Sequence, residues 1–262
     1  MEEYLKVNQA SWNERAKIHF ESDFYDNASF IQGRNSLNSI ELDILGDISG
    51  KSILHLQCHF GQDTISLSRM GADALGIDLS DESIALARKL NDQVGSNTRF
   101  VVSDVYSLPD NLQEKFDIVF TSYGTIGWLP DLDKWAKVVS HFLKDGGRFI
   151  MADFHPVVWM FKDDFSGIGY SYFKDEVIVE EEGTYTENAE NLSQKHYSWN
   201  HAMEEILTSL LNEGLVLRQF KEFDYSPYNC FQKTVEIEAG KWQIRGLEGK
   251  IPMVYAIEMV CK

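Results

Sequence analysis

Gly61, Asp78 and Asp104 have the residue types and spacing from which a binding site could be built. Each sits at the end of a short apolar run: "SILHLQ" (52–57) leads into "CHFG", "ADALGIDL" (72–79) holds Asp78, and "TRFVVSDV" (98–105) holds Asp104. Runs of this length, bounded by turn residues, read as buried strands. In an open parallel sheet, ligands gather at the carboxyl ends of the strands. Asp78 stands 17 residues beyond Gly61, close to the separation at which an acid reaches a ribose. A carboxylate accepts both hydrogen bonds of a cis-diol, which a neutral side chain does less well. Asp104, at the next strand end, could accept from an exocyclic adenine amine.

Other strand ends add to this group. The first closes in Gln57, Cys58, His59, Phe60 and Gly61. "KFDIVFTSYG" (115–124) reads as a fourth strand and ends in Thr121, Ser122 and Tyr123. "RFIMADFH" (148–155) reads as a fifth and ends in Asp153, Phe154 and His155. Between them lie helical patterns. "DTISLSRMG" is closed by Gly71. "SDESIALARKLND" has Ser80 as N-cap, with Asp81 and Glu82 in its first turn. "LPDLDKWAKVVSHFLKDGG" repeats Leu132, Trp135, Val139 and Phe142/Leu143 at helical spacing and should stop at Gly146 and Gly147. Strands alternating with helices imply right-handed crossovers and a parallel sheet.

From residue 157 to 199 the chain holds aromatics, acids and alternation without a helical pattern, which suggests an inserted antiparallel unit. Its "EEE" at 180–182 reads as a solvated face. "SWNHAMEEILTSLLNEGL" resumes a helix that Gly214 closes. The runs 215–226 and 253–262 are not separated by a helical pattern, so they are expected to pair antiparallel. The N-terminal "SWNERAKIHFES" is expected to form a helix over the sheet edge.

Composition narrows the function. The 262 residues suffice for one large domain, and 44% hydrophobic with 25% charged residues is ordinary for a globular protein. A net charge of −17 disfavours nucleic acid and anionic membrane surfaces, so a small-molecule partner is expected. No apolar run approaches a membrane span. The acidic, polar "MEEYLKVNQ" does not read as a secretory signal, so a cytoplasmic location is expected and the sequon at Asn191 has no consequence there. The three cysteines, Cys58, Cys230 and Cys261, are far apart and form no CxxC pair, so neither a disulfide framework nor a structural zinc site is expected.

The chain resembles class I S-adenosylmethionine (SAM) methyltransferases over roughly residues 35–155 and 200–262. Their usual first motif is a strand followed by acid-x-Gly-x-Gly-x-Gly. Here "HLQCHFG", His55 to Gly61, stands in its place, a version similar to type-11-like small-molecule methyltransferases. "GIDLS" resembles the second motif, "VVSDVYSLP" the adenine-binding segment, "FDIVFTSYGTIGWLPDLDKW" the fourth motif and "LKDGGRFIMADFHP" the fifth strand. The resemblance implies an α/β, Rossmann-like sheet of seven mostly parallel strands, helices on both faces, an antiparallel last strand and an inserted antiparallel β unit. Residues 1–35 would form a helical lid, 36–156 with 200–262 the SAM-binding domain, and 157–199 a substrate-side unit. SAM would be held by Gln57, His59, Phe60, Gly61, Asp78, Leu79, Asp104, Val105 and Ser122, with Tyr25 and Arg34 from the lid.

The implied activity is in-line methyl transfer to a small organic acceptor. The sulfonium already activates the methyl group, so orientation carries much of the catalysis. Where a base is needed, His155, His201 and Tyr123 are the candidates. No metal is expected, since His196 and His201 are five apart and do not share a helix face. The protein is expected to be a monomer or homodimer. Two other readings fit parts of the pattern: a non-catalytic SAM-binding regulator, and a nicotinamide oxidoreductase, which the missing GxGxxG disfavours.

Overall fold

The computed structural model describes residues 2–186 and 192–262, so Asn191 of the sequon lies outside the described residues. Strands β1 (Ser52–Leu56), β2 (Asp73–Asp78), β3 (Arg99–Val102), β4 (Phe116–Ser122) and β5 (Leu143–Phe154) run parallel. Their side chains alternate between two buried faces. Leu54, Val119, Phe149 and Tyr255 enter one core, and Ile53, Ile118, Phe120 and Ile150 the other. Burial on both faces explains the near-continuous apolar runs.

The sheet order is β3-β2-β1-β4-β5-β11-β8. The last strand, β11 (Val254–Val260), lies antiparallel between β5 and β8 (Val216–Phe223). The sheet is therefore the expected seven-stranded, mostly parallel one. On one face α7 (Leu132–Phe142) and α8 (Met203–Asn212) bury Trp135, Val139, Ile206 and Leu210, with the short α6 (Leu108–Asn111) beside them. On the other, α3 (Ser39–Leu45) and α4 (Gln62–Arg69) bury Ile40, Ile44 and Leu67. Helix α5 (Asp81–Val94) is capped by Ser80, whose Oγ accepts from Ser83 N at 2.9 Å.

Three elements differ from the sequence reading. Helix α7 ends at Phe142, before Gly146 and Gly147, because buried Leu143 turns extended and pairs with Phe116. A hairpin of β9 (Thr234–Glu238) and β10 (Lys241–Ile244) lies between β8 and β11, turning at Gly240 with φ +70°. Helix α1 (Glu3–Phe20) does not cover the sheet edge. It crosses the carboxyl ends of the strands, where Gln9 Nε2 donates to Leu79 O at 3.0 Å and Ser80 Oγ donates to Asn13 Oδ1 at 2.7 Å. The short α2 (Asn27–Ile31) follows it. Residues 157–199 supply the hairpin β6 (Ile178–Glu182) and β7 (Gln194–Ser198), against which α1 also rests through Asn8 and Tyr197.

Candidate active site

The loop after β1 is strained. Gln57 and His59 both have left-handed backbone, at φ +54° and +52°. Such conformations cost about 1–3 kcal/mol each and persist only where the surroundings fix them. Here Cys58 N donates to Ile77 O at 2.8 Å, His59 N to Asp78 Oδ2 at 2.8 Å, and Gln57 Nε2 to Thr125 O at 2.8 Å. Gly61 takes φ +78°, and a Cβ there would stand 2.5 Å from Phe100 Cε1 and 3.1 Å from Ala87 Cβ. This one glycine is thus required by packing against β3 and α5 as well as by its backbone angle.

Asp78 sits at the centre of this loop. Its Oδ2 accepts from His59 N and its Oδ1 from Ser80 N at 2.8 Å. Burial pushes its carboxyl up to about 6 against the lowering effect of these two bonds. Asp104 accepts from Tyr106 N at 2.9 Å, Ser107 N at 3.1 Å and Ser107 Oγ, and so caps the turn into α6. Val105 is core. Asp78, Leu79, Asp104 and Val105 lie outside the main cavity, with α1 above Leu79.

That cavity measures about 710 Å³. One end brings together Gln57, His59, Phe60, Gly61, Ser122, Tyr25 and Arg34. It also holds Asp63, which sequence reasoning passed over. Asp63 accepts from Ser36 Oγ at 2.6 Å and Ser122 Oγ at 3.3 Å, while burial raises its proton affinity. The only signal for it was an acid just after Gly61, which also reads as an ordinary first-turn acid of α4. Arg34 donates to Tyr25 O at 2.6 Å and Ser29 Oγ at 2.8 Å, and its charge favours ionised Asp63.

A buried histidine pair joins α1 to the loop. His19 Nδ1 meets His59 Nε2 at 3.0 Å, His59 Nδ1 meets Ser83 Oγ at 3.2 Å, and His19 Nε2 meets Thr184 Oγ1 at 2.6 Å. Burial holds His59 down at about 3 and His19 well below its ordinary value. Trp12 packs edge-on to both His59 and Trp128, at 5.3 and 5.2 Å.

The three candidate bases are placed differently. His155 lies outside the cavity, where its Nε2 meets Glu222 Oε1 at 3.1 Å and its Nδ1 accepts from Val157 N at 3.2 Å. His201 borders the cavity, but both ring nitrogens are engaged: Nδ1 with Glu205 Oε2 at 3.0 Å and Nε2 with Leu129 O at 2.9 Å. Tyr123 borders it too and donates to Glu41 Oε2 at 2.9 Å. Burial, followed by the Glu41 charge, pushes the Tyr123 phenol well up, and burial holds Glu41 itself up at about 7.

The "EEE" segment is not simply a solvated face. Glu180 and Glu182 line the cavity and meet His196 Nε2 at 3.6 and 3.7 Å. The three groups could present one ligand atom each within 4.8 Å, the spacing of a metal site. However, Arg15 Nη2 stands 3.2 Å from His196 Nδ1. A guanidinium only donates, so at this shorter contact Nδ1 accepts, over its 3.4 Å approach to Gln194 O, and Nε2 carries the ring proton. That tautomer turns an N–H toward the glutamates and leaves Nε2 without a lone pair for a cation.

Residues 53–147, which span β1 to β5, match the family described as "Methyltransferase domain". This segment of the chain is thus similar to a methyltransferase domain. A demethylmenaquinone methyltransferase of Lactococcus lactis is similar at 31% identity over 136 residues, 50% of this chain and 52% of that protein. The chain thus spans about half the length of this curated relative. Among solved structures, an S-adenosylmethionine-dependent methyltransferase from Clostridium acetobutylicum matches at a TM-score of 0.59 and 20% identity, covering 93% of this chain and 94% of that one. A glycopeptide N-methyltransferase solved with S-adenosylmethionine matches at a TM-score of 0.54 and 15% identity, covering 93% and 96%. These structural likenesses establish a class I methyltransferase fold. Within the matched segment, the strained loop and Asp78 occupy the carboxyl ends of β1 and β2.

Proposed function

We propose that the chain transfers the methyl group of SAM to a small organic acceptor. The observation that carries this reading is the polar end of the cavity. It sets a carboxylate, Asp63, and a guanidinium, Arg34, beside the left-handed loop and the start of α4. Those two groups complement the ammonium and carboxylate of a methionyl moiety. The aromatic face of Tyr25 suits a sulfonium cation. Asp78 and Asp104 keep unused lone pairs for the ribose and adenine, with α1 closing over them. Bound SAM supplies an activated methyl group, and the chain's own part is to hold the acceptor in line with it and exclude water.

Phe154, Trp159, Phe161 and Phe231 line the other end of the cavity, which suits an acceptor with apolar surface. The small-molecule class is also supported by the quinone-pathway name of the Lactococcus relative. Tyr123 and His201 border this space, and we assign them to orienting the acceptor, with His155 a structural partner of Glu222. The test is formation of S-adenosylhomocysteine from SAM over a panel of small aromatic acceptors. Turnover that Asp63→Asn abolishes is expected. Binding of S-adenosylhomocysteine with no turnover on any acceptor would favour a regulator.

A further inference from the structure

The same cavity holds a buried cation with no counter-charge in contact among the described residues. Arg15, on α1, is only 4% exposed and lines the cavity. Among the described residues no carboxylate lies within 4.0 Å of its guanidinium. Glu180 and Glu182, the acids on the same wall, meet His196 instead, at 3.6 and 3.7 Å. The Arg15 charge lies 5.7 Å from the Trp12 ring and 5.6 Å from the Trp128 ring. Among the described residues its one hydrogen-bond partner is His196 Nδ1, at 3.2 Å. Its Nε is buried with no partner at all.

Glu182 and Glu180 favour the Arg15 charge from beyond contact distance, but a buried guanidinium also needs direct hydrogen-bonding partners. A purely structural arginine would reach an acid or several carbonyls, as Arg148 does with Glu258, Leu45 O and Ile44 O. Arg15 instead lines the ligand space with a single hydrogen bond among the described residues, against the edge-to-face pair of Trp12 and Trp128. The fork of a guanidinium matches a carboxylate.

We infer that Arg15 is an oxyanion-binding residue of the cavity wall, and that the methyl acceptor carries a carboxylate beside an apolar body. This rests on the methyl-transfer reading for the word acceptor, whereas the oxyanion site itself does not. The position is separate from Asp63 and Arg34, which are tied to the loop after β1 and to residues 25–36. His196 is a positioning residue here: by accepting from Nη2 it fixes the plane of the guanidinium.

The test uses benzoate, benzamide and benzylamine as probes, titrated by calorimetry into the full chain saturated with S-adenosylhomocysteine and into the free chain. Benzoate is expected to bind about tenfold or more tightly than benzamide, as a charge-assisted pair would give. Arg15→Gln is expected to erase that preference while leaving S-adenosylhomocysteine affinity unchanged, and Arg15→Lys to retain part of it. If Arg15→Gln does not fold, the Arg15→Lys ratio carries the test: an undiminished benzoate preference in it would overturn the inference. So would equal binding, or no binding, of benzoate and benzamide by the native chain. Preference for benzylamine would assign the wall to Glu180 and Glu182 instead. If S-adenosylhomocysteine fails to bind while the Arg15-dependent benzoate preference remains, the methyl-transfer reading falls and the oxyanion site stands.

Discussion

On the proposed reading Asp63 and Asp78 would divide the work of holding a nucleoside-linked amino acid, and single substitutions separate their roles. Asp63 is held by two serine hydroxyls and faces the cavity. Asp63→Asn should therefore weaken S-adenosylhomocysteine binding by about 10–150-fold, the loss of one charge-assisted bond, with little change in stability. Asp78 also accepts from two backbone amides of the loop and of the turn into α5. Asp78→Ala should lower affinity and also cost about 1–3 kcal/mol of stability in denaturant unfolding, because two amides lose their acceptor. His55 gives a pH signature. It is buried, with its proton affinity held down at about 3 against an ordinary 6.5. Between those values the unfolded chain binds more protons than the folded one, so stability falls as pH drops through the window. The contribution of one such histidine is about 1.4 kcal/mol per pH unit. His55→Phe, which would retain the aromatic contact with Phe120, should flatten the acid limb of stability measured between pH 6 and 4.

At the scale of elements, the site depends on how closely the first loop seats against β2 and β3. Gly76, in mid-β2, leaves no room for a methyl group: a Cβ would come within 2.7 Å of Cys58 Sγ and 2.9 Å of Thr64 Oγ1. Gly76→Ala should destabilise the chain by about 1–3 kcal/mol through overpacking and should also weaken S-adenosylhomocysteine binding, since it pushes on the loop and on α4. Denaturant midpoints and calorimetry check the two effects. The strands were legible because each is apolar on two buried faces, and the crossover helices because their apolar faces repeat. Asp78 and Asp104 could be found as strand-end acids. Arg15 could not, because its role depends on α1 crossing the strand ends and meeting β7 from 181 residues away. Asp63 was hidden behind the ordinary preference of a helix start for acids. The β9–β10 hairpin had a signal, the alternation of "TVEIEAGKWQI" about Ala239-Gly240, which went unread beside the longer final strands.

Across the whole molecule, α1, the loop after β1 and the β6–β7 pair meet at one cavity. His19 and His59 link α1 to the loop, His19 and Thr184 link it to the insert, and Arg15 with His196 repeats that link one helical turn earlier. A ligand filling this cavity bridges all three parts, so it should stabilise the entire fold. Saturation with S-adenosylhomocysteine at 100 times its dissociation constant should add about 2.7 kcal/mol and raise the melting temperature accordingly. The most direct test of the account is calorimetric titration of the native chain with S-adenosylhomocysteine, with NAD as control. One-to-one binding in the micromolar range, with none for NAD, is the predicted result. No heat with S-adenosylhomocysteine, or equal binding of NAD, would contradict it and leave only a methyltransferase fold.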